Sequence, residues 1–179
     1  VMEKEIDGML FNGDVLVEAR PRLTSANIPE GVTTIDRNAF YECFDLTSVT
    51  IPESVTSIGS GAFSETGVIK DESNWEDGVL YINNCLIKAK TEIKGAYTIK
   101  EGCRVIADNA FGECDKLSSV TIPNSVTHIG SSAFSGCRQL SSITLPGSVT
   151  NIGQYAFSGC RGLTVIAIPN SVMNIGDYA

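Results

Sequence analysis

The chain has 179 residues, 42% hydrophobic and 19% charged with 17 glycines, and reads as one ordinary globular domain able to bury a sizeable core. A net charge of −8 excludes the lysine- and arginine-rich surface that nucleic acid demands, so no nucleic-acid partner is expected. No apolar run approaches the ~18 residues that cross a membrane as a helix.

The N-terminal VMEKEIDGMLF lacks the basic start and apolar stretch of a signal peptide, as expected of a mature form or an excised piece. Asp7-Gly8-Met9-Leu10-Phe11 recurs as Asp77-Gly78-Val79-Leu80-Tyr81, and Val15-Leu16-Val17 recurs as Cys85-Leu86-Ile87. Both segments read as β-hairpins, turning at Asn12-Gly13 and at Asn83-Asn84, where residues tolerant of positive φ are needed.

From Leu23 onward a 23-residue period takes over. Its clearest marker is an Ala-Phe pair, falling at Phe40, Phe63, Phe111, Phe134 and Phe157. Units begin at Leu23, Leu46, Lys94 (a degenerate start), Leu117, Leu140 and Leu163, and one insertion interrupts the period. In the unit starting at Leu117, Val120 and Ile122 alternate with Ser119 and Thr121, which is strand patterning, and Pro123 ends the strand. Val126 to Ile129 is a second short extended piece with Val126 and Ile129 inward. Gly130 lets the chain turn, and Ser131 to Phe134 reads as a helical or 3-10 turn. One unit cannot cover its own apolar face, so stability requires stacking, with the repeated Phe forming a buried column. The expected organisation is a single domain over 1–179: a hairpin over 1–22, two repeats over 23–68, a linker and hairpin over 69–93, and four repeats over 94–179.

The shared pattern L-x-x-(V/I)-x-(I/L)-P-x-S-V-T-x-I-G-x-x-A-F-x-x-C resembles the treponemal-type leucine-rich repeats of BspA-like bacterial surface proteins. That resemblance implies a curved right-handed solenoid with parallel strands lining its concave face. It also implies no catalytic activity, a secreted or cell-surface location, and an adhesive role towards host or bacterial surface proteins.

The linker Lys70–Asp77 holds the only tryptophan, Trp75, amid four acids. It reads either as an exposed partner anchor or as a cover over the gap between solenoid and hairpin. The outward strand positions read Ser25/Asn27, Ser48/Thr50, Ala96/Thr98, Ser119/Thr121, Ser142/Thr144 and Val165/Ala167. They form a ribbon of small, mostly hydroxylated side chains. That ribbon is either a plain solvated sheet face or a surface that a partner's backbone or a glycan can approach closely. Candidate partner-binding residues are therefore Ser48, Thr50, Trp75, Ser119, Thr121, Ser142, Thr144, Val165 and Ala167. The chain breaks off at Ala179, within an Ala-Phe pair, so an exposed apolar C-terminal face able to pair with another copy is expected.

Charge is uneven: 15 acids and 5 bases up to Asp77, then 6 acids and 8 bases. The acidic end reads as a solvated surface or as one that faces a different partner from the other end. Of six cysteines, Cys43, Cys114, Cys137 and Cys160 share one repeat position, Cys103 sits where other units have Val, and Cys85 matches Val15. Cysteine thus replaces small core residues, and free buried thiols are expected rather than disulfides or zinc. His128, the only histidine, fills an outward position held by Ser57 and Asn151 in other units, and offers no Ser-His-Asp or Cys-His system a base. No cofactor motif is present. The reading is a non-enzymatic protein- or glycan-binding module; a structural spacer and an intracellular recognition module are the alternatives.

Overall fold

The computed structural model describes residues 4–179, so Val1–Glu3 of the N-terminal hairpin segment lie outside the described residues. The chain winds into a β-solenoid of about seven turns with very little helix. It opens on β1 (Lys4–Ile6), β2 (Met9–Asn12) and β3 (Val15–Ala19), an antiparallel meander. Two coils follow, carrying β4 (Ser25–Asn27) and β5 (Thr34–Ile35), then β6 (Ser48–Thr50) and β7 (Ser57–Ile58). The insertion holds a single helical turn, α1 (Gly67–Lys70), a 3-10 turn at Glu72–Asn74, and a second meander of β8 (Trp75–Glu76), β9 (Val79–Ile82) and β10 (Cys85–Ala89). The later coils carry β11 (Gly95–Thr98) with β12 (Val105–Ile106), β13 (Leu117–Thr121) with β14 (His128–Ile129), β15 (Ser142–Thr144) with β16 (Asn151–Ile152), and β17 (Asn174–Ile175).

Each inserted element has three strands where the sequence suggested two. The additional turns are Asp7-Gly8 and Asp77-Gly78, with φ of 49° and 78° and of 49° and 80°. Both residues of each pair adopt positive φ, as a tight antiparallel turn requires. The first hairpin turns at Gly13-Asp14 rather than Asn12-Gly13, because Gly13 (φ 66°) occupies the place that Asn83 (φ 50°) fills in the second.

Coils stack in parallel with a register of one repeat, so Ser119 faces Ser142 and His128 faces Asn151. Each meander supplies the first rung. The strand β3 pairs with β5 and then β7, and β10 pairs with β12, β14, β16 and β17 in succession. The aromatic column forms in two pieces. Phe40 stacks on Phe63 at 5.2 Å, and Phe111, Phe134 and Phe157 stack at 5.1 and 5.5 Å. The second meander intervenes between Phe63 and Phe111, and the buried residues correspondingly divide into two clusters. The two blocks meet through a shared apolar cluster, in which Cys85, Ile87, Val105 and Ala107 pack with the first block's core. Polar contacts join them too: Asp108 N–H to Ile58 O at 2.9 Å, Ile51 N–H to Asn83 Oδ1 at 2.8 Å, and Arg104, which donates to Glu53 O at 2.7 Å and Pro52 O at 3.2 Å.

The conserved spacing of Ile-Gly within the repeat has a packing cause. A Cβ on Gly59 would lie 2.5 Å from Arg37 N, and one on Gly130 would lie 2.5 Å from Asp108 N. The preceding coil's backbone occupies that space. At the same repeat position the first coil of each block carries Asp36 and Ala107, because each stacks on a meander rather than on another coil.

Ser131 to Phe134 does not form a helix. Three hydrogen-bonded turns follow one another (Ala133 N–H to Gly130 O, Ser135 N–H to Ser132 O, Cys137 N–H to Phe134 O), separated by left-handed residues at Ser132 (φ 54°) and Gly136 (φ 77°). Asn38, Gly61, Asn109 and Tyr155 take the Ser132 position in other coils, all at positive φ. The left-handed region costs a residue with a Cβ roughly 1–2 kcal/mol, part of which glycine returns as unfolded-state entropy. We therefore expect Ser132→Gly to raise stability by about 0.5–1 kcal/mol, seen as a higher denaturation midpoint at unchanged m-value.

All six cysteines are free and buried. The repeat-position thiols donate to carbonyls one period back: Cys137 to Phe111 O at 3.2 Å and Cys160 to Phe134 O at 3.1 Å in the coil before, and Cys43 to Arg20 O at 3.4 Å and Cys114 to Lys90 O at 3.7 Å at the end of each meander. Where Thr66 replaces Cys, its hydroxyl bonds Phe63 O at 2.7 Å. Burial pushes the Cys85 thiol up to about 12, and Cys103 and Cys114 up to about 11. In the unfolded chain these thiols ionise near pH 8.5. Above that pH the unfolded state therefore binds fewer protons than the folded state, and stability falls as pH rises towards 11. Urea melts at pH 7, 9 and 10 should show a progressive loss, and replacing Cys85 by Val should blunt it.

Candidate functional site

The hydroxylated ribbon lies on the sheets formed by the first strand of each coil. Alternation points Val120 and Ile143 into the core and leaves Ser119, Thr121, Ser142 and Thr144 on the outer side. In register, Ala96, Ser119 and Ser142 make one row, and Thr98, Thr121 and Thr144 make the next. With Asn124 and Pro146, the four central hydroxyl residues line a shallow groove of about 350 Å³. Among the described residues these four hydroxyls make no side-chain hydrogen bond within the protein, so each can donate to or accept from a bound chain.

The ribbon is not continuous. Ser25 pairs with Ser48 and Asn27 with Thr50 in a separate two-stranded sheet. Between β6 and β11 stands the turn of the second meander, where Asn83 Oδ1 accepts Ile51 N–H at 2.8 Å. Ser48 and Thr50 thus belong to one panel, and the other four residues to a second. Val165 and Ala167 lie outside any strand and are exposed, Val165 at 79%. The adjoining Ile168, Met173, Ile175 and Tyr178 are exposed as well.

Trp75 lies in strand β8, not in a loop. It is half-buried against the first core cluster, and its indole N–H donates to Ile69 O at 2.9 Å. The Lys90 ammonium, paired to Glu72, sits 5.1 Å from the ring centre. This places the ring between α1 and the meander.

On the other sheet, at the junction of the two blocks, sequence reasoning missed a cleft of about 240 Å³ whose polar lining is Thr56, Ser57, Asp108, His128, Ser131 and Asn151. Its residues come from four coils, three of them spaced by the 23-residue period and the fourth, with Thr56 and Ser57, brought in from across the insertion, so no motif announces it. The local signal was Asp108, which stands where Arg37, Ser60, Ser131 and Gln154 stand in other units and which only the last unit repeats, as Asp177. Asp108 Oδ1 accepts Ser131 N–H at 2.6 Å, and burial raises its carboxyl pKa. His128 Nδ1 lies 2.8 Å from Thr127 Oγ1, and burial, assisted by Arg104, lowers the imidazole pKa and favours the neutral ring. Among the described residues no group of three or more metal-ligating side chains comes together.

Residues 18–95 and 89–179 match the family profile described as the BspA type leucine-rich repeat region, in six copies. The chain belongs to that family. Among solved structures, this BspA-type chain is similar to a leucine-rich cell surface protein from Faecalibacterium prausnitzii, with 29% identity and a TM-score of 0.52 over 86% of this chain and 49% of that one. It is also similar in fold to the pneumococcal vaccine antigen PcpA, with 19% identity and a TM-score of 0.53 over 87% of this chain and 47% of that one. The BspA-type chain spans about half the length of these structures. No curated protein matches it.

Proposed function

We propose that this chain is a non-enzymatic, adhesin-like protein-binding module that works at a cell surface or after secretion. The observation that carries this reading is the groove over Ser119, Thr121, Ser142 and Thr144. Two in-register rows of short side chains there let a partner's backbone approach the sheet and meet hydroxyls that have no protein partner among the described residues. A stacked solenoid provides such an extended surface without a single deep pocket. The family match supports an interaction role, and the name of the Faecalibacterium neighbour, a cell surface protein, supports the location. For catalysis, the one histidine meets only the Thr127 hydroxyl, whose proton is donated to Arg104 O and not to the ring.

The test is binding of the purified chain to a panel of extracellular-matrix and bacterial surface proteins, beside a version with Ser119, Thr121, Ser142 and Thr144 changed to Glu. Saturable binding weakened more than tenfold in that version is the expected result. Undiminished binding would move the site away from the groove. An intact chain that binds nothing would favour a spacer between other domains.

A further inference from the structure

We infer that the cleft at the block junction is a second binding site, taking a single neutral sugar ring of the kind that terminates a surface glycan. It lies on the sheet of β12, β14 and β16, away from the hydroxylated groove, and does not depend on the function proposed for that groove.

Three groups lining the cleft have no protein partner among the described residues. Asp108 uses Oδ1 for Ser131 N–H, which leaves Oδ2 open. Asn151 accepts the Thr150 hydroxyl on Oδ1 at 2.8 Å, which leaves both amide protons. Ser57 makes no side-chain bond at all. His128 adds a fourth. The Thr127 hydroxyl donates to Arg104 O at 3.3 Å, so its lone pair faces the ring. The imidazole proton then sits on Nδ1, and Nε2 is an acceptor.

The site thus mixes acceptors (Asp108 Oδ2, His128 Nε2) with donors (Asn151 amide, Ser57 hydroxyl). Sugar hydroxyls, which both donate and accept, match that mixture. The carboxylate disfavours anions. The Arg104 guanidinium, held on Glu53 O and Pro52 O and acting on His128, brings a positive charge to the same junction and disfavours a cationic ligand. At about 240 Å³ the cleft is smaller than the ~300–1,000 Å³ of a drug-sized pocket, which limits it to one ring. Ile58, Ile106, Ile129 and Ile152 also line the cleft, beside Gly130 and Gly153.

The site requires both blocks. Thr56 and Ser57 come from the block before the insertion, and Asp108, His128 and Asn151 from the block after it.

The test is an amide chemical-shift titration of the labelled full chain with methyl glycosides of glucose, galactose, mannose and N-acetylglucosamine. So few atoms should bind with a dissociation constant on the order of 1–10 mM. The expected result is saturable shifts at Ser57, Asp108, His128 and Asn151 with at least one glycoside. Asp108→Asn keeps the oxygen that caps Ser131, and should weaken binding at least tenfold while leaving the melting temperature within a few degrees. Asn151→Ala is the second variant and should also weaken it. The proposal falls if no glycoside produces a saturable shift, or if the shifts map to Ser119 and Thr144. It also falls if methylammonium moves the cleft amides and the sugars do not, since the site would then bind cations.

Discussion

Truncating Phe134 to Ala should lower stability by about 3–5 kcal/mol, the range for emptying a fully buried aromatic site. Phe134 is completely buried, with Phe111 stacked on one side at 5.1 Å and Phe157 on the other at 5.5 Å. Its backbone is tied in as well: the N–H donates to Ala156 O at 2.8 Å, and the carbonyl accepts the Cys160 thiol. Neither neighbour can collapse into the space without leaving its own rung. Phe157, only partly buried, should lose clearly less on the same change. Denaturant melts of the two variants check this ordering. Equal losses would mean that the stacked column does not carry the packing energy assigned to it. Because repeat arrays can lose two-state behaviour, hydrogen exchange at Ala133 and Ala156 should accompany the melts.

Gly130→Ala should be nearly as damaging, at about 3 kcal/mol, the top of the usual range for overpacking. One methyl group would lie 2.5 Å from Asp108 N and 2.6 Å from Ala107 C. Those are backbone atoms of the coil beneath, and they cannot rotate away. The coil spacing must open or the β12–β14 rung must shift. The internal control is already present: Ala107 occupies the equivalent position one coil earlier without such a clash, since it rests on β10. Ala107→Gly should therefore change stability by less than about 1 kcal/mol. A Gly130→Ala variant as stable as the parent would show that the coils are not in van der Waals contact at this point.

The repeat was legible because every coil meets the same neighbours one period away. The same physical demand then selects the same residue at Phe40, Phe63, Phe111, Phe134 and Phe157. The cysteines were legible for the same reason, each replacing a small core group. What the sequence concealed lies where that periodicity is interrupted. The wedge that splits the aromatic column depends on which edge of β12 the second meander takes, and no local pattern encodes that choice. The Asp7-Gly8 and Asp77-Gly78 turns were visible signals, but the strands they join, β1 and β8, are too short and too polar to show alternation. Trp75 was ambiguous by composition. Its indole partner, Ile69 O, is six residues back and is brought into reach only by the turn of α1. The hydroxylated positions could be read from strand alternation, whereas their division into two panels could not. The junction cleft was invisible because proximity across the blocks creates it.

The coil-to-coil bonds also decide how the molecule would carry load. Strands in neighbouring coils are joined sideways, so the bonds run along the solenoid axis while the chain runs around it. Tension applied through the two ends of the segment loads those rungs one after another, like a zip, instead of shearing many together. Each coil that comes away releases 23 residues, roughly 80 Å of slack at ~3.4 Å per residue. A tether built this way yields stepwise at modest force and lengthens before it breaks. Its second block, with an unbroken ladder from β10 to β17, should peel coil by coil, and the junction held by Asp108 and Arg104 marks where the two blocks part.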